Sequence, residues 1–201
     1  MTSSMRKSKS KQKRVKLPRP YISWTQLNLW ESDQDEYIRR YVFGEKGIVS
    51  DAMEFGKEFA DVMENNLDSD DPLINFCKVF LPRYKYSEKE ISAKIGKIKL
   101  YGKIDTYEDG RFREYKTGRT KWTQIKVDSF GQITFYALMI WLNTGKVPKE
   151  MWLDHISTDG GYNIYSFRTE RNILQLIEMK KRIEQAQEGI INRIKEINLK
   201  Q

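Results

Sequence analysis

With only one cysteine, Cys77, the 201-residue chain can form no internal disulfide and no four-thiolate zinc or iron–sulfur centre of its own. Cys77 therefore reads as a small core residue. Histidine is just as scarce: His155 stands alone on an expected late strand and reads as structural. No apolar run is long enough to cross a bilayer, and the basic N-terminus is not followed by the apolar stretch of a secretory signal. A soluble, cytoplasmic protein without a membrane partner is expected. Acid is missing from one place. Residues 1–20 hold Arg6, Lys7, Lys9, Lys11, Lys13, Arg14, Lys16 and Arg19 and no Asp or Glu. The formal charge of +8 resides there, because removing these eight from 36 bases leaves 28 against 28 acids. A Ser/Lys-rich leader with so little to bury is expected to be disordered. It can tether a polyanion through counterion release, or serve only as a solubilising leader.

What remains, residues 21–201, suffices for one core and reads as one domain. Ser23 and Gln26 suggest a capping box ahead of a helix carrying Leu27, Trp30, Tyr37 and Tyr41 and ending near Gly44. A second helix is expected from Ser50 or Asp51 to about Asn66, and a short third one from Asp71-Pro72 to Phe80, stopped by Pro82. The period then changes to two. Three strands are expected over residues 84–95, 97–108 and 111–117. A fourth helix, about 127–143, is apolar on nearly all sides and should be buried. Strands over 151–158 and 162–168 flank Asp159-Gly160-Gly161, and a long amphipathic helix starts near Glu170.

Asp109-Gly110 suits a two-residue hairpin loop, for which paired residue numbers add up to about 219. Asp105 should then face Glu114, with side chains about 5 Å apart at Cβ, where like charges are destabilising unless neutralised. A divalent cation neutralises them, and Mg²⁺ or Mn²⁺ prefers such oxygen ligands. Lys116, two residues beyond Glu114, shares its face. A metal and an adjacent ammonium can activate water and stabilise the oxyanion of phosphodiester hydrolysis. The alternative is a surface hairpin with ordinary solvated charges.

Gly102-Lys103-Ile104-Asp105, Glu114-Tyr115-Lys116-Thr117-Gly118 and Gln132-Ile133-Thr134-Phe135-Tyr136 follow one another in the order found in RecB-type domains. The chain resembles the PD-(D/E)XK nuclease superfamily over residues 21–180, including Ser23-x-x-Gln26-Leu27 and Gly56-x-x-x-Ala60-x-x-x-Glu64. This resemblance implies an α/β, restriction-endonuclease-like fold. Its central mixed sheet has about five strands in an αβββαβ core, with extra N-terminal helices and a long C-terminal helix. It implies a catalytic set of Asp105, Glu114, Lys116, Gln132 and Tyr136, and metal ligation by Asp105, Glu114, Tyr115 and Glu64. Nucleic-acid contacts are implied at Lys103, Thr117, Arg119 and Tyr136. The activity implied is Mg²⁺- or Mn²⁺-dependent DNA cleavage by an exonuclease or end-processing enzyme of repair, recombination or replication, with a possible helicase or repair partner. A catalytically weak DNA-binding module or accessory subunit is the alternative. Two departures stand out: Ala60 occupies the position of the histidine that many RecB-type domains use on the metal, and Cys77 alone cannot hold the iron–sulfur cluster of some relatives.

Overall fold

A computed structural model describes residues 19–199, so the expected disorder of the basic leader falls, for residues 1–18, outside the described residues. Ser23 caps helix α1 (Trp24–Ser32) by accepting from Gln26 N–H. The Gln26 side chain reaches back to Tyr21 O and Ser23 Oγ, a variant of the expected box. The single helix expected up to Gly44 is instead broken at Asp33, whose extended backbone ends α1 while its carboxylate caps α2 (Gln34–Tyr37). A π-helical turn, Ile38–Val42, follows. Helix α3 (Asp51–Asn65) starts at a Ser50 cap and ends at Asn66 in the left-handed conformation. Helix α4 (Pro72–Phe80) starts at an Asp71 cap with proline in its first turn.

Five strands form one sheet in the order β1-β2-β3-β4-β5: β1 (Tyr86–Ile95), β2 (Ile98–Glu108), β3 (Arg111–Gly118), β4 (Glu150–Ser157) and β5 (Ile164–Thr169). All neighbours are antiparallel except β3 and β4. That parallel pair requires a crossover, which α5 (Gln124–Asp128) and α6 (Gly131–Thr144) supply. The crossover was expected as one helix and is two. Phe130 is extended, and Arg171 donates to the Val127 and Phe130 carbonyls that a continuous helix would use internally. Every residue from Ile133 to Ile140 is buried, as the all-round apolar sequence requires. Each large side chain there contributes about 1.5–3 kcal/mol relative to exposure. Helix α7 (Ile173–Leu199) begins later than Glu170, where Asn172 and Gln175 cap one another reciprocally.

The main core lies between the sheet, α1, α6 and α7. A smaller one joins α3 and α4 to Ile156, with Cys77 fully buried in it. No helix among the described residues is long and apolar enough to cross a membrane.

Candidate active site

Asp109 and Gly110 both have positive φ, the backbone that a tight hairpin turn demands. The register follows, pairing Glu108 with Arg111, Tyr107 with Phe112 and Thr106 with Arg113. There the ladder stops. Asp105 and Glu114, the next pair by count, are not joined through their backbones; the Asp105 carboxylate itself accepts the Tyr115 N–H. β2 parts from β3 at this point while β3 stays paired with β4 as far as Gly118. One residue before Glu114, a buried ion pair anchors the strand, as Arg113 donates to both Asp154 oxygens at 2.6 and 2.7 Å.

A cleft of about 250 Å³ opens where the strands part, with Asp105, Glu114, Lys116, Thr117, Glu88, Ala60 and Glu64 among its lining residues. Glu114 is 2% exposed. Its Oε1 accepts from Lys116 Nζ at 2.7 Å, whereas Oε2 is buried without any hydrogen-bond partner. Burial and the neighbouring Glu114 charge push the Asp105 carboxyl well above its ordinary range. Burial also raises Glu114, against the pull of Lys116. The Lys116 ammonium is held above its usual value by the two carboxylates despite desolvation, and sits 5.6 Å from the centre of the Phe130 ring.

Gln132 and Tyr136 form one unit, but their contacts run to the strand rather than to Lys116. Tyr136 donates to Lys103 O at 2.7 Å and accepts from Gln132 Nε2 at 3.0 Å. Its ring crosses β2 at Gly102, where an added Cβ would lie 2.6 Å from the ring. Burial and the carboxylates of Glu114 and Asp105 drive the Tyr136 phenol upward.

Glu64, in the last turn of α3, pairs with Lys103 at 3.1 Å, a basic partner that offsets the unfavourable helix end. Lys103 also binds Glu88 at 2.8 Å, so its charge is already engaged by two acids. The Tyr115 side chain leaves the carboxylates: its hydroxyl donates to Pro82 O at 2.7 Å and its ring packs edge-on against Phe59. Any metal contact from this residue falls to its main-chain carbonyl. Arg119 is exposed in the loop after β3, and Thr117 lies against Gly56 of α3. His155 is buried on β4, with Nε2 3.0 Å from Gly118 O and Nδ1 unpartnered.

Sequence reasoning passed over Glu88. Its φ of 48° is left-handed, a strained conformation for glutamate, and its side chain reaches the cleft. It faces Asp105 by the same arithmetic that faces Asp105 with Glu114, because Ile95 and Ile98 flank the tight turn at Gly96-Lys97. That register was available from the sequence.

The donor set suits a hard divalent cation, since the orphaned Glu114 oxygen lies beside a second carboxylate and Mg²⁺ needs only one or two carboxylates besides water and phosphate. No group of three or more His, Cys, Asp or Glu side chains arranged to hold a metal occurs among the described residues.

No family model and no curated protein matches the chain. Solved structures do. A candidate exonuclease from Eubacterium rectale superimposes with a TM-score of 0.63 at 12% identity, over 86% of this chain and 82% of the other. An alkaline exonuclease from Laribacter hongkongensis superimposes with a TM-score of 0.56 at 13% identity, over 93% and 94%. The chain shares the restriction-endonuclease-like fold of these two structures.

Proposed function

We propose that the chain is a metal-dependent nuclease that hydrolyses DNA phosphodiester bonds, acting as an exonuclease or end-processing enzyme in repair, recombination or replication. The observation that carries this reading is the buried, unpartnered Glu114 Oε2 beside Asp105, with Lys116 on the other Glu114 oxygen. Asp105 and Glu114 would hold Mg²⁺ or Mn²⁺, with the Tyr115 carbonyl and Glu64 as further candidate ligands. The ion supplies a more acidic water and neutralises developing negative charge. Lys116, kept protonated by its two acids, orients the attacking water and stabilises the phosphorane-like oxyanion. Gln132 and Tyr136 hold β2 at Lys103, and so fix where Asp105 stands. Thr117 and Arg119 are candidate contacts to the nucleic-acid backbone. The fold neighbours described as exonucleases support the same reading.

Ala60 in the cleft favours a second reading, a DNA-binding module or accessory subunit of a helicase-nuclease or repair assembly, because it supplies no metal ligand where a histidine would. One experiment separates the two. The 201-residue chain, incubated with end-labelled single- and double-stranded DNA in Mg²⁺ or Mn²⁺, should degrade it, and Lys116→Ala should reduce the rate at least ~100-fold while sparing binding. Binding without cleavage under every metal condition would establish the module instead.

A further inference from the structure

In the β1–β2 hairpin, Glu88 and Asp105 stand by count between the paired Ser87 with Thr106 and Lys89 with Ile104, and from there rows two residues apart run along one face by strand periodicity. The rows are Glu90 with Lys103, Ser92 with Tyr101, and Lys94 with Lys99. The intervening residues Ala93, Ile95, Ile98, Leu100 and Ile104 are buried. One outward stripe therefore runs from the carboxylates to the hairpin tip. Its far end places two lysines directly opposite one another, both exposed, and neither joined in an ion pair among the described residues. Like charges so placed are destabilising unless an anion lies between them.

Lysines on an edge strand can serve simply to block pairing with another chain. That accounts for Lys94 on β1 but not for Lys99, since β2 is flanked by β1 on one side and bridged on the other by Ile22. The pair also borders a groove of about 600 Å³ lined by Tyr21 and Tyr101, whose rings are 5.0 Å apart. The one acid among these rows near Tyr101, Glu90, accepts from the Tyr101 hydroxyl at 2.9 Å. Residues 1–18, with seven Lys or Arg and no acid, join the fold three residues before Tyr21.

We propose that this stripe, ending at Lys94 and Lys99, binds the phosphodiester backbone of nucleic acid at a distance from the reacting phosphate. This rests on the reading of the carboxylate cleft as the cutting site. Asp105 lies six positions along the strand from Lys99, about 20 Å, which corresponds to about six base pairs of duplex. The lysine pair grips backbone that the cleft does not touch, and sets a minimum substrate length.

Fluorescence anisotropy in EDTA, with the full chain and labelled DNA, tests this without any chemistry. Lys94→Ala/Lys99→Ala should weaken binding of a duplex of about 20 base pairs tenfold or more, and make log K against log salt shallower by about 2. A stem of about four base pairs, too short to span the stripe, should bind the variant and wild type alike. Lys181→Ala, on α7, should change neither. The variant should unfold at no lower temperature than wild type, because it loses a like-charge pair. Affinity and salt slope within twofold of wild type on the long duplex, or an equal loss on the short stem, would overturn the inference. Cleavage is scored separately. A protein that binds through the pair yet never cuts sinks the nuclease reading, while one that cuts yet ignores the pair sinks this inference.

Discussion

At the scale of single residues, the site is costly to the fold that carries it. Glu114 and Asp105 are desolvated next to one another, and a buried carboxylate oxygen without a partner is destabilising by about 1–3 kcal/mol or more. The Asp105 carboxyl is raised in the folded state, so its contribution to stability is fully present below the ordinary carboxylate range and is lost as pH rises through the raised value. In metal-free protein at neutral pH, Asp105→Asn should therefore raise the unfolding midpoint by about 2–4 °C while abolishing metal-dependent cleavage. Thermal unfolding in EDTA checks the first half; an unchanged or lower midpoint would show that the carboxylate is not strained by its neighbour. His155 works in the opposite sense. Burial lowers its folded pKa below the ordinary 6.5, so the stability it permits is complete above that value and declines as pH falls through the depressed one. His155→Gln, which keeps a donor for Gly118 O, should flatten the loss of stability on acidification, as read by denaturant melts from neutral pH downward.

At the scale of elements, the site depends on how closely α6 lies against β2. Gly102 permits the Tyr136 ring to cross the strand, and the hydroxyl then reaches Lys103 O. Gly102→Ala should destabilise the protein by about 1–3 kcal/mol through overpacking. Adding Tyr136→Leu should recover part of that loss, a non-additivity measurable by a double-mutant cycle in urea. How far such arrangements are legible in the sequence depends on whether they are local. The Asp109-Gly110 register, the Asp71-Pro72 helix start and the buried run Ile133–Ile140 follow from turn chemistry and periodicity. The breaks at Asp33 and Phe130 do not, because one needs a capping side chain inside a helical pattern and the other needs Arg171, 41 residues away. Directly opposed Asp105 and Glu114 were expected from counting, yet the strands part there because a side chain takes the place of the next ladder bond. Counting through Gly96-Lys97 would have found Glu88, but nothing local announces that its carboxylate turns to the same cleft.

On the scale of the whole molecule, a mixed sheet is split along one seam, with α3 supplying cleft residues and α6 securing β2. Residues 21–201 are formally neutral, and the net charge is concentrated in residues 1–20. Removing residues 1–18 should weaken DNA binding and flatten its salt dependence while leaving the rate at saturating DNA unchanged, as a salt series of binding curves would read. An unaltered slope would reduce the leader to a solubilising segment. The claim on which the account depends is that the split seam takes a divalent cation. Mn²⁺ titrated into the 201-residue chain without DNA, followed by water-proton relaxation, tests it directly. Saturable binding is expected, and it should be lost in Glu114→Gln and in Asp105→Asn. Equal binding by wild type and both variants would contradict it.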